Sequence, residues 1–343
     1  MSAVLVVHDA FDAELRPDEA DVLVQVDAVA GALRRLGHAV TTTAVGLDLG
    51  PLAARLQSPT APDVVFNLVE SAAGKGRLIV LAPALVEAMG VKMAGCSADS
   101  FATTCNKPLA KRWMALAGID TPACWTLDAL HAAAGAPSAR LAVDTIAKST
   151  WEHASIGLED DGVFRAGTTF ATVRDFVAAQ SRRFRGAFFA EAFVEGREFN
   201  VALLDDGEGG AVVLPIAEIA FVDWQPGKPR IVGYRAKWDE GSLAYQRTER
   251  RFVVDRHEPP TGERAQDDVL CERLAAVAVA CWRLFSLRGY ARVDFRVDAA
   301  GRPWVLEVNA NPCLASDAGF MAAAGRAGLD VDAVVARVMQ AAR

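Results

Sequence analysis

The segment YARVDFRVDAAGRPWVLEVNANP, residues 290–312, constrains the fold more than any other part of the chain. Two runs of alternating apolar and polar residues flank Asp298-Ala299-Ala300-Gly301, a cluster of turn formers, so the segment reads as an antiparallel hairpin. Period two puts Arg292 and Asp294 on one face of the first strand, and Val305, Glu307 and Asn309 on one face of the second. With Val297 opposite Arg302, Asp294 faces Val305 and Arg292 faces Glu307, which leaves Asp294 and Glu307 on the diagonal. Two carboxylates and an amide oxygen on one patch repel each other unless a cation lies between them. Hard oxygen donors of this kind suit magnesium that also touches phosphate. The same pattern fits the solvated face of an ordinary hairpin. The balance tips toward a site because Asn309-Ala310-Asn311-Pro312, another run of turn formers, ends the strand beside the acidic patch.

At 343 residues the chain is long enough for more than one domain. Residues 3–7 (AVLVV) read as a buried strand, and Ala20 to Leu36 carries apolar residues at helical spacing before Gly37 ends it. A second strand at 38–45, a third at VVFNLV and a helix from Leu78 to Met89 continue an alternation that predicts a parallel sheet with crossover helices. A helix from Lys107 to Ala117 runs into Gly118-Ile119-Asp120-Thr121-Pro122 and opens a second, α+β unit. That unit holds the strand LAVDTIAK, the loop WEHASIG and a helix from Thr172 to Phe184. A third unit starts with the strand AFFAEAFV at 187–194, contains the strands EFNVALL and AVVLPIAEIA, and ends with a helix at 267–286, the hairpin and a short helix. The stretch 223–266, rich in Pro, Gly and charge, contains a long loop. The expected division is 1–103, 104–186 and 187–343.

Lys plus Arg is 36 against 43 for Asp plus Glu, a formal net charge of -7, which argues against nucleic acid as the partner. Cys96, Cys105, Cys124, Cys271, Cys281 and Cys313 include no C-x-x-C pair and no clustered His, so neither a zinc site nor a disulfide framework is expected. The N-terminus lacks a basic region followed by a long apolar stretch, and the longest apolar runs are too short to span a bilayer. These features predict a cytoplasmic protein with no membrane segment.

The motifs ARVDF, LEVNANP, EAFVEGREFNVALL, IAKSTWEHASIG and NKPLAKRWMALAGIDTP together resemble the ATP-grasp superfamily, and within it the D-alanine–D-alanine ligase-like branch. The resemblance runs from VVFNLVE near 64 to the final helix, with the motifs in the family's order. It implies an α/β protein built of α+β subdomains, an ATP-grasp fold behind an N-terminal parallel-sheet domain. ATP would lie between the central and C-terminal subdomains and phosphorylate a carboxylate, and an amine would then displace the phosphate. By the same resemblance Asp294, Glu307 and Asn309 hold magnesium, with manganese as the alternative ion, and Lys107 and Lys148 neutralise the ATP phosphates. The loop 149–157, with Ser155 and Gly157 at its usual Ser and Gly, covers those phosphates with backbone N–H groups. Glu191 reaches the adenine amino group, Phe193 and Val194 supply hinge backbone, and Glu198 holds the ribose hydroxyls. Lys237 approaches the γ-phosphate and Arg292 steadies the oxyanion, so Arg292, Lys237 and Ser155 form the implied catalytic set.

The amino-acid half departs from the family. The loop after the first strand reads HDAFDAEL where the ligases joining two D-alanines carry Gly-Gly-x-Ser-x-Glu, leaving His8, Asp9 or Glu14 to hold the first amino group. Glu70 stands at the usual His, Ala154 at the substrate-side Ser, Trp238 at the usual Tyr, and Cys-Leu-Ala-Ser-Asp-Ala-Gly replaces a Gly-Met-Thr run. Retained chemistry beside a changed pocket predicts a carboxylate–amine ligase that makes a dipeptide or amide of specialised metabolism and not the D-alanine dimer. Glu70, His153, Trp238, Cys313 and Ser316 are the candidates for that pocket, though each also fits a capping, packing or turn role. No His stands at motif spacing to activate Cys313, so a nucleophilic thiol is not expected. The alternatives are intramolecular cyclisation of an amino-acid derivative, a true D-alanine–D-alanine ligase and, more remotely, a non-catalytic nucleotide-binding protein. The resemblance implies small-molecule amino-acid substrates and a homodimer.

Overall fold

A computed structural model describes residues 1–11, 14–136, 138–253 and 262–343, with the backbone alone at 262–265. The first unit alternates β1 (Ala3–Asp9), α1 (Pro17–Arg35), β2 (Ala39–Val45), α2 (Gly50–Leu56), β3 (Val64–Asn67), α3 (Leu81–Ala88) and β4 (Lys92–Ala94). Its strands pair in the order β2-β1-β3-β4, all parallel. The apolar run Val4–Val7 is buried because both sheet faces are covered, as a parallel sheet with crossover helices requires. Helix α1 begins at Pro17 and is capped by Glu19, whose carboxylate accepts the Arg16 N–H at 2.8 Å.

Two helices, α4 (Ala98–Thr104) and α5 (Lys107–Leu116), lead into the central unit: β5 (Cys124–Thr126), α6 (Leu127–Ala133), β6 (Thr145–Ser149), β7 (Val163–Phe164), α7 (Phe170–Arg183) and β8 (Phe188–Ala192). The central sheet runs β5-β8-β6-β7 and is antiparallel throughout. Strand β8, expected to open the third unit, is hydrogen-bonded between β5 and β6, so the boundary expected at 186/187 falls after Ala192. The strand expected over LAVDTIAK starts only at Thr145, because Asp144 turns outward to accept the Ala166 N–H at 2.8 Å.

The third unit contains β9 (Arg197–Asp205), β10 (Ala211–Val213), β11 (Ala217–Phe221), α8 (Tyr234–Trp238), α9 (Leu243–Gln246), β12 (Thr248–Phe252), α10 (Gly262–Leu284), β13 (Tyr290–Val297), β14 (Pro303–Asn309), α11 (Gly319–Arg326) and α12 (Val331–Gln340). Its sheet runs β12-β11-β9-β13-β14, with β10 beside β9. The strand expected over AVVLPIAEIA is split into β10 and β11 around Pro215, which has no N–H to give to a ladder. The long loop expected within 223–266 carries α8, α9 and β12, and its part at 254–261 lies outside the described residues.

The units are tied unequally. Val4, Val6, Val29 and Leu33 of the first pack in one core with Leu204, Tyr290, Phe320 and Val334 of the third. The central unit has its own small core around Leu130, Val173, Val177 and Phe188. Among the described residues no helix is long and apolar enough to cross a membrane.

Candidate active site

The three units line one cleft of about 550 Å³. The hairpin forms its floor, but in a register different from the one the turn predicts. Val297 pairs with Pro303 and Phe295 with Val305, and beyond Asp294 the register shifts, leaving Leu306 unpaired. Asp294 therefore stands directly opposite Glu307, and Arg292 opposite Asn309. Strict alternation would have kept Val305, Glu307 and Asn309 on one face. The bulge sends Val305 and Val308 into the core and turns Glu307 and Asn309 to the cleft beside Asp294.

Asp294 accepts from Arg292 Nε at 2.7 Å and from Asn200 Nδ2 at 2.7 Å, while Lys107 Nζ lies 3.5 Å from Glu307. Burial works against the Glu307 charge, but Lys107, then His153, Lys237 and Arg292, outweigh it and hold the carboxyl well below the ordinary range. Asn309 Oδ1 accepts the Asn311 N–H at 2.9 Å, which fixes the amide. Among the described residues no cluster of three or more His, Cys, Asp or Glu is arranged to hold a metal ion. The hard donor set is thus two carboxylates and one amide oxygen, which fits magnesium that keeps waters and phosphate oxygens in its remaining positions.

Glu191, on β8, is buried between Lys148 Nζ at 2.6 Å and Lys111 Nζ at 2.8 Å. Its desolvation is outweighed by the two lysines, which keep the carboxyl ionised below its usual range. The Lys111 ammonium, lowered by burial, also reaches Thr121 Oγ1 and the Leu306 carbonyl at 3.0 and 3.1 Å. Lys111 was missed in the sequence, although it lies one turn after Lys107 on the same helix face. Phe193 and Val194 follow β8 and line the cleft. Glu198 lines it too and is paired with Arg296 at 2.7 Å, a residue readable from the Arg292, Asp294, Arg296 alternation.

The loop 149–157 closes over this end. Ala154, Ser155 and Gly157 have φ of 57°, 61° and 72°, the left-handed region. Ser155 Oγ donates to the Val232 carbonyl at 2.8 Å, and Trp238 Nε1 donates to the Ala154 carbonyl at 3.1 Å. Gly157 does not line the cleft: a Cβ there would stand 2.7 Å from the Phe188 ring, so its role is close packing. Lys107 Nζ holds the Glu152 carbonyl at 2.8 Å. Lys237 is buried in the cleft, and that burial, with Arg292 adding to it, lowers its ammonium. His153 also lines the cleft; its Nε2 is buried without a hydrogen-bond partner, and burial and Lys107 push the imidazole down to about 4.

At the far end Glu70 lines the cleft, with Gln25 Nε2 donating to it at 2.9 Å. Of the residues expected to replace the missing loop, none lines the cleft. Glu14 is exposed, His8 Nδ1 lies 2.9 Å from the Asp9 carbonyl, and buried Asp9 accepts the Glu70 and Ser71 amides at 2.7 and 3.1 Å. Asp18 and Asp21, from the first turns of α1, reach the cleft instead. Period-3.6 spacing could have found them, since they sit on the helix end that faces the carboxyl edge of the sheet. Cys313 donates to Asp21 Oδ2 at 3.1 Å, and burial with Asp21 pushes its thiol up, so it is a donor and not a thiolate. Ser316 is exposed and outside the cleft; Asp317, Ala318 and Gly319 line it, because the chain turns inward only there.

The family model described as "D-ala D-ala ligase C-terminus" matches residues 140–340. A D-alanine–D-alanine ligase of Moorella thermoacetica is 30% identical over 326 residues, 92% of either chain. One of Gloeobacter violaceus is 30% identical over 329 residues, 94% of this chain and 95% of that one. The crystal structure of the Bacillus anthracis D-alanine–D-alanine ligase complexed with ATP matches 99% of this chain and 97% of its own, at a TM-score of 0.67 and 17% identity.

Proposed function

The chain belongs to the D-alanine–D-alanine ligase family of ATP-grasp enzymes, ATP-dependent ligases that form C–N bonds, and from that premise we propose that it joins two amino acids other than a pair of D-alanines. The observation that carries this reading is a Trp–Ala pair, Trp238 and Ala154, both lining the cleft. The Trp238 indole N–H is spent on the Ala154 carbonyl, so neither side chain offers a hydroxyl where the family carries Ser and Tyr. The far end of the cleft, taken in this reading as the substrate end, presents Glu70 in place of His.

In this reading Lys107 and Lys148 balance the ATP phosphates from opposite sides, and Glu191 meets the adenine amino group while its two lysines keep it charged. Asp294, Glu307 and Asn309 would hold magnesium, which when bound would neutralise charge on the transferring phosphoryl group. Arg292, tied to Asp294 at 2.7 and 2.9 Å, is a preorganised cation for charge that develops on the acyl oxygen. Lys237, half-buried in the lining of the cleft, gives a second cation at the acceptor side. The loop 149–157 excludes water from an acyl phosphate, which would otherwise hydrolyse. The D-alanine dimer is the second reading, favoured by what the named relatives are.

The test is ADP release with magnesium and ATP in the presence of pooled L- and D-amino acids, with products read by mass. A dehydrated product of two different or non-alanine amino acids is expected. D-alanyl-D-alanine as the main product would overturn the changed-pocket reading, and a product from one reactant alone would move the assignment to cyclisation.

A further inference from the structure

The bulge that turns Glu307 into the cleft is held from outside its own sheet. Leu306 has no cross-strand partner, and its carbonyl accepts instead from Lys111 Nζ of α5 at 3.1 Å. The preceding Val305 gives its N–H to the Asp120 carbonyl at 2.9 Å, and its own carbonyl accepts from Thr121 Oγ1 at 2.7 Å. Thr121 Oγ1 accepts in turn from Lys111 Nζ at 3.0 Å. One ammonium thus secures two successive residues of the bulge, Leu306 directly and Val305 through a hydroxyl, and Glu307 is the next residue in the chain.

The same ammonium lies 2.8 Å from Oε2 of Glu191, which belongs to β8 of the central sheet, while Lys148 lies 2.6 Å from Oε1. The Glu191 carboxylate therefore has two fixed points, one on each oxygen. Lys111 and Glu191 are 3% and 1% exposed, so solvent does not screen their contact. An interior ion pair returns little net stability once both charges have left water; what it fixes is geometry. Here it fixes the central sheet, through Glu191, against the hairpin of the third unit, through Leu306. Lys107, one turn earlier on α5, meets Glu307 at 3.5 Å and lines the cleft, whereas Lys111 does not line it. Lys111 reaches the reaction only through its neighbours. Resting on the ligase reading, we infer that Lys111 is a positioning residue that couples recognition of the nucleotide base to the metal site. At one end it sets Glu191 for the adenine amino group, and at the other it holds the bulge that presents Glu307 to magnesium.

The experiment measures binding of ADP and of IDP by calorimetry across a range of magnesium concentrations, in the wild type, Lys111→Met and Thr121→Val. IDP presents a carbonyl where ADP presents the amino group, so a carboxylate at that point rejects it. Lys111→Met takes away one of the two fixed points of Glu191 and the donor to Leu306. It is expected to lose about tenfold of the preference for ADP over IDP, the scale of a hydrogen bond to a charged group. It should also need about tenfold more magnesium for half-maximal ADP binding, the scale of losing a support behind a metal ligand. Thr121→Val alters only the hairpin arm, and should raise the magnesium requirement while keeping the preference for ADP. A folded Lys111→Met protein in which either quantity matches the wild type would overturn the coupling, since a merely stabilising lysine lowers the thermal midpoint and moves neither. Where Lys111→Met fails to fold, Thr121→Val decides: an unchanged magnesium requirement overturns the inference, and a raised one with the ADP preference intact supports it. Binding is read without turnover, so absence of ADP release from ATP with every amino acid would overturn the ligase reading while the calorimetry still decides the role of Lys111.

Discussion

The two ends of the cleft bury similar carboxylates and treat them in opposite ways. At the phosphate end Glu191 sits between Lys111 and Lys148, and Glu307 lies by Lys107; both are held below their ordinary range. At the substrate end Glu70, Asp9 and Asp21 meet amides, hydroxyls and a thiol, and all three are pushed up, first by burial. Burial alone therefore does not decide whether these groups are charged; the counter-charge does. One end carries its counter-ions in the chain, as a site for an invariant polyanion can. At the other end Glu70, Asp9 and Asp21 form no ion pair among the described residues.

The largest expected effect breaks the paired end. Glu307→Gln removes one of the two carboxylates of the proposed metal set and the partner of Lys107, and is expected to lower ADP release by about 10³-fold, the scale of losing a preorganised electrostatic group. Its thermal midpoint should stay near that of the wild type. An active Glu307→Gln enzyme would remove Glu307 from the metal set.

How much of this was legible in the sequence follows the same division. The hairpin and its acidic face announce themselves through period-two alternation and turn formers, whereas Lys107 and Lys148 are legible only through the family resemblance. The register did not, because a bulge at Leu306 leaves no signature in alternation, yet it is what puts Glu307 opposite Asp294. Placing β8 in the central sheet was not readable either: pairing with β5 and β6 is a contact far along the chain, and AFFAEAFV fits either sheet. At the substrate end the residues in HDAFDAEL drew attention, while Asp18 and Asp21 a turn into α1 reach the cleft. Polar residues at a helix start read as caps, and only the tertiary packing of α1 beside the sheet edge turns them inward.

Glu191→Ala breaks the comparison from the stability side. It leaves Lys111 and Lys148 facing each other in the interior without an anion, so unfolding in urea should show a loss of about 3–5 kcal/mol. A loss below about 1 kcal/mol would mean that the lysines find water or each other's partners, and that the phosphate end is less strictly paired than its geometry indicates. Gly157→Ala is expected to cost less, about 1–3 kcal/mol, since a Cβ at φ 72° would meet the Phe188 ring at 2.7 Å. Its activity should fall with it, because the same loop carries Ser155; unchanged stability would show that the loop rearranges freely around the ring.

The smallest effect sharpens the unpaired end through pH. Glu70 titrates at about 8 in the folded chain against 4.5 when free, so between these values the native state holds a proton that the unfolded state has lost. Its contribution to stability is full below about pH 4.5 and is lost as pH rises toward about 8, with a shallower fall from Asp9 ending near pH 6. The thermal midpoint should therefore decline by a few degrees across that window. Glu70→Gln cannot ionise, and should flatten the upper part of the decline and exceed the wild type above about pH 8. If the profile of Glu70→Gln overlays that of the wild type, Glu70 is already neutralised within the chain, and the contrast between the two ends would rest on Asp9 and Asp21 alone.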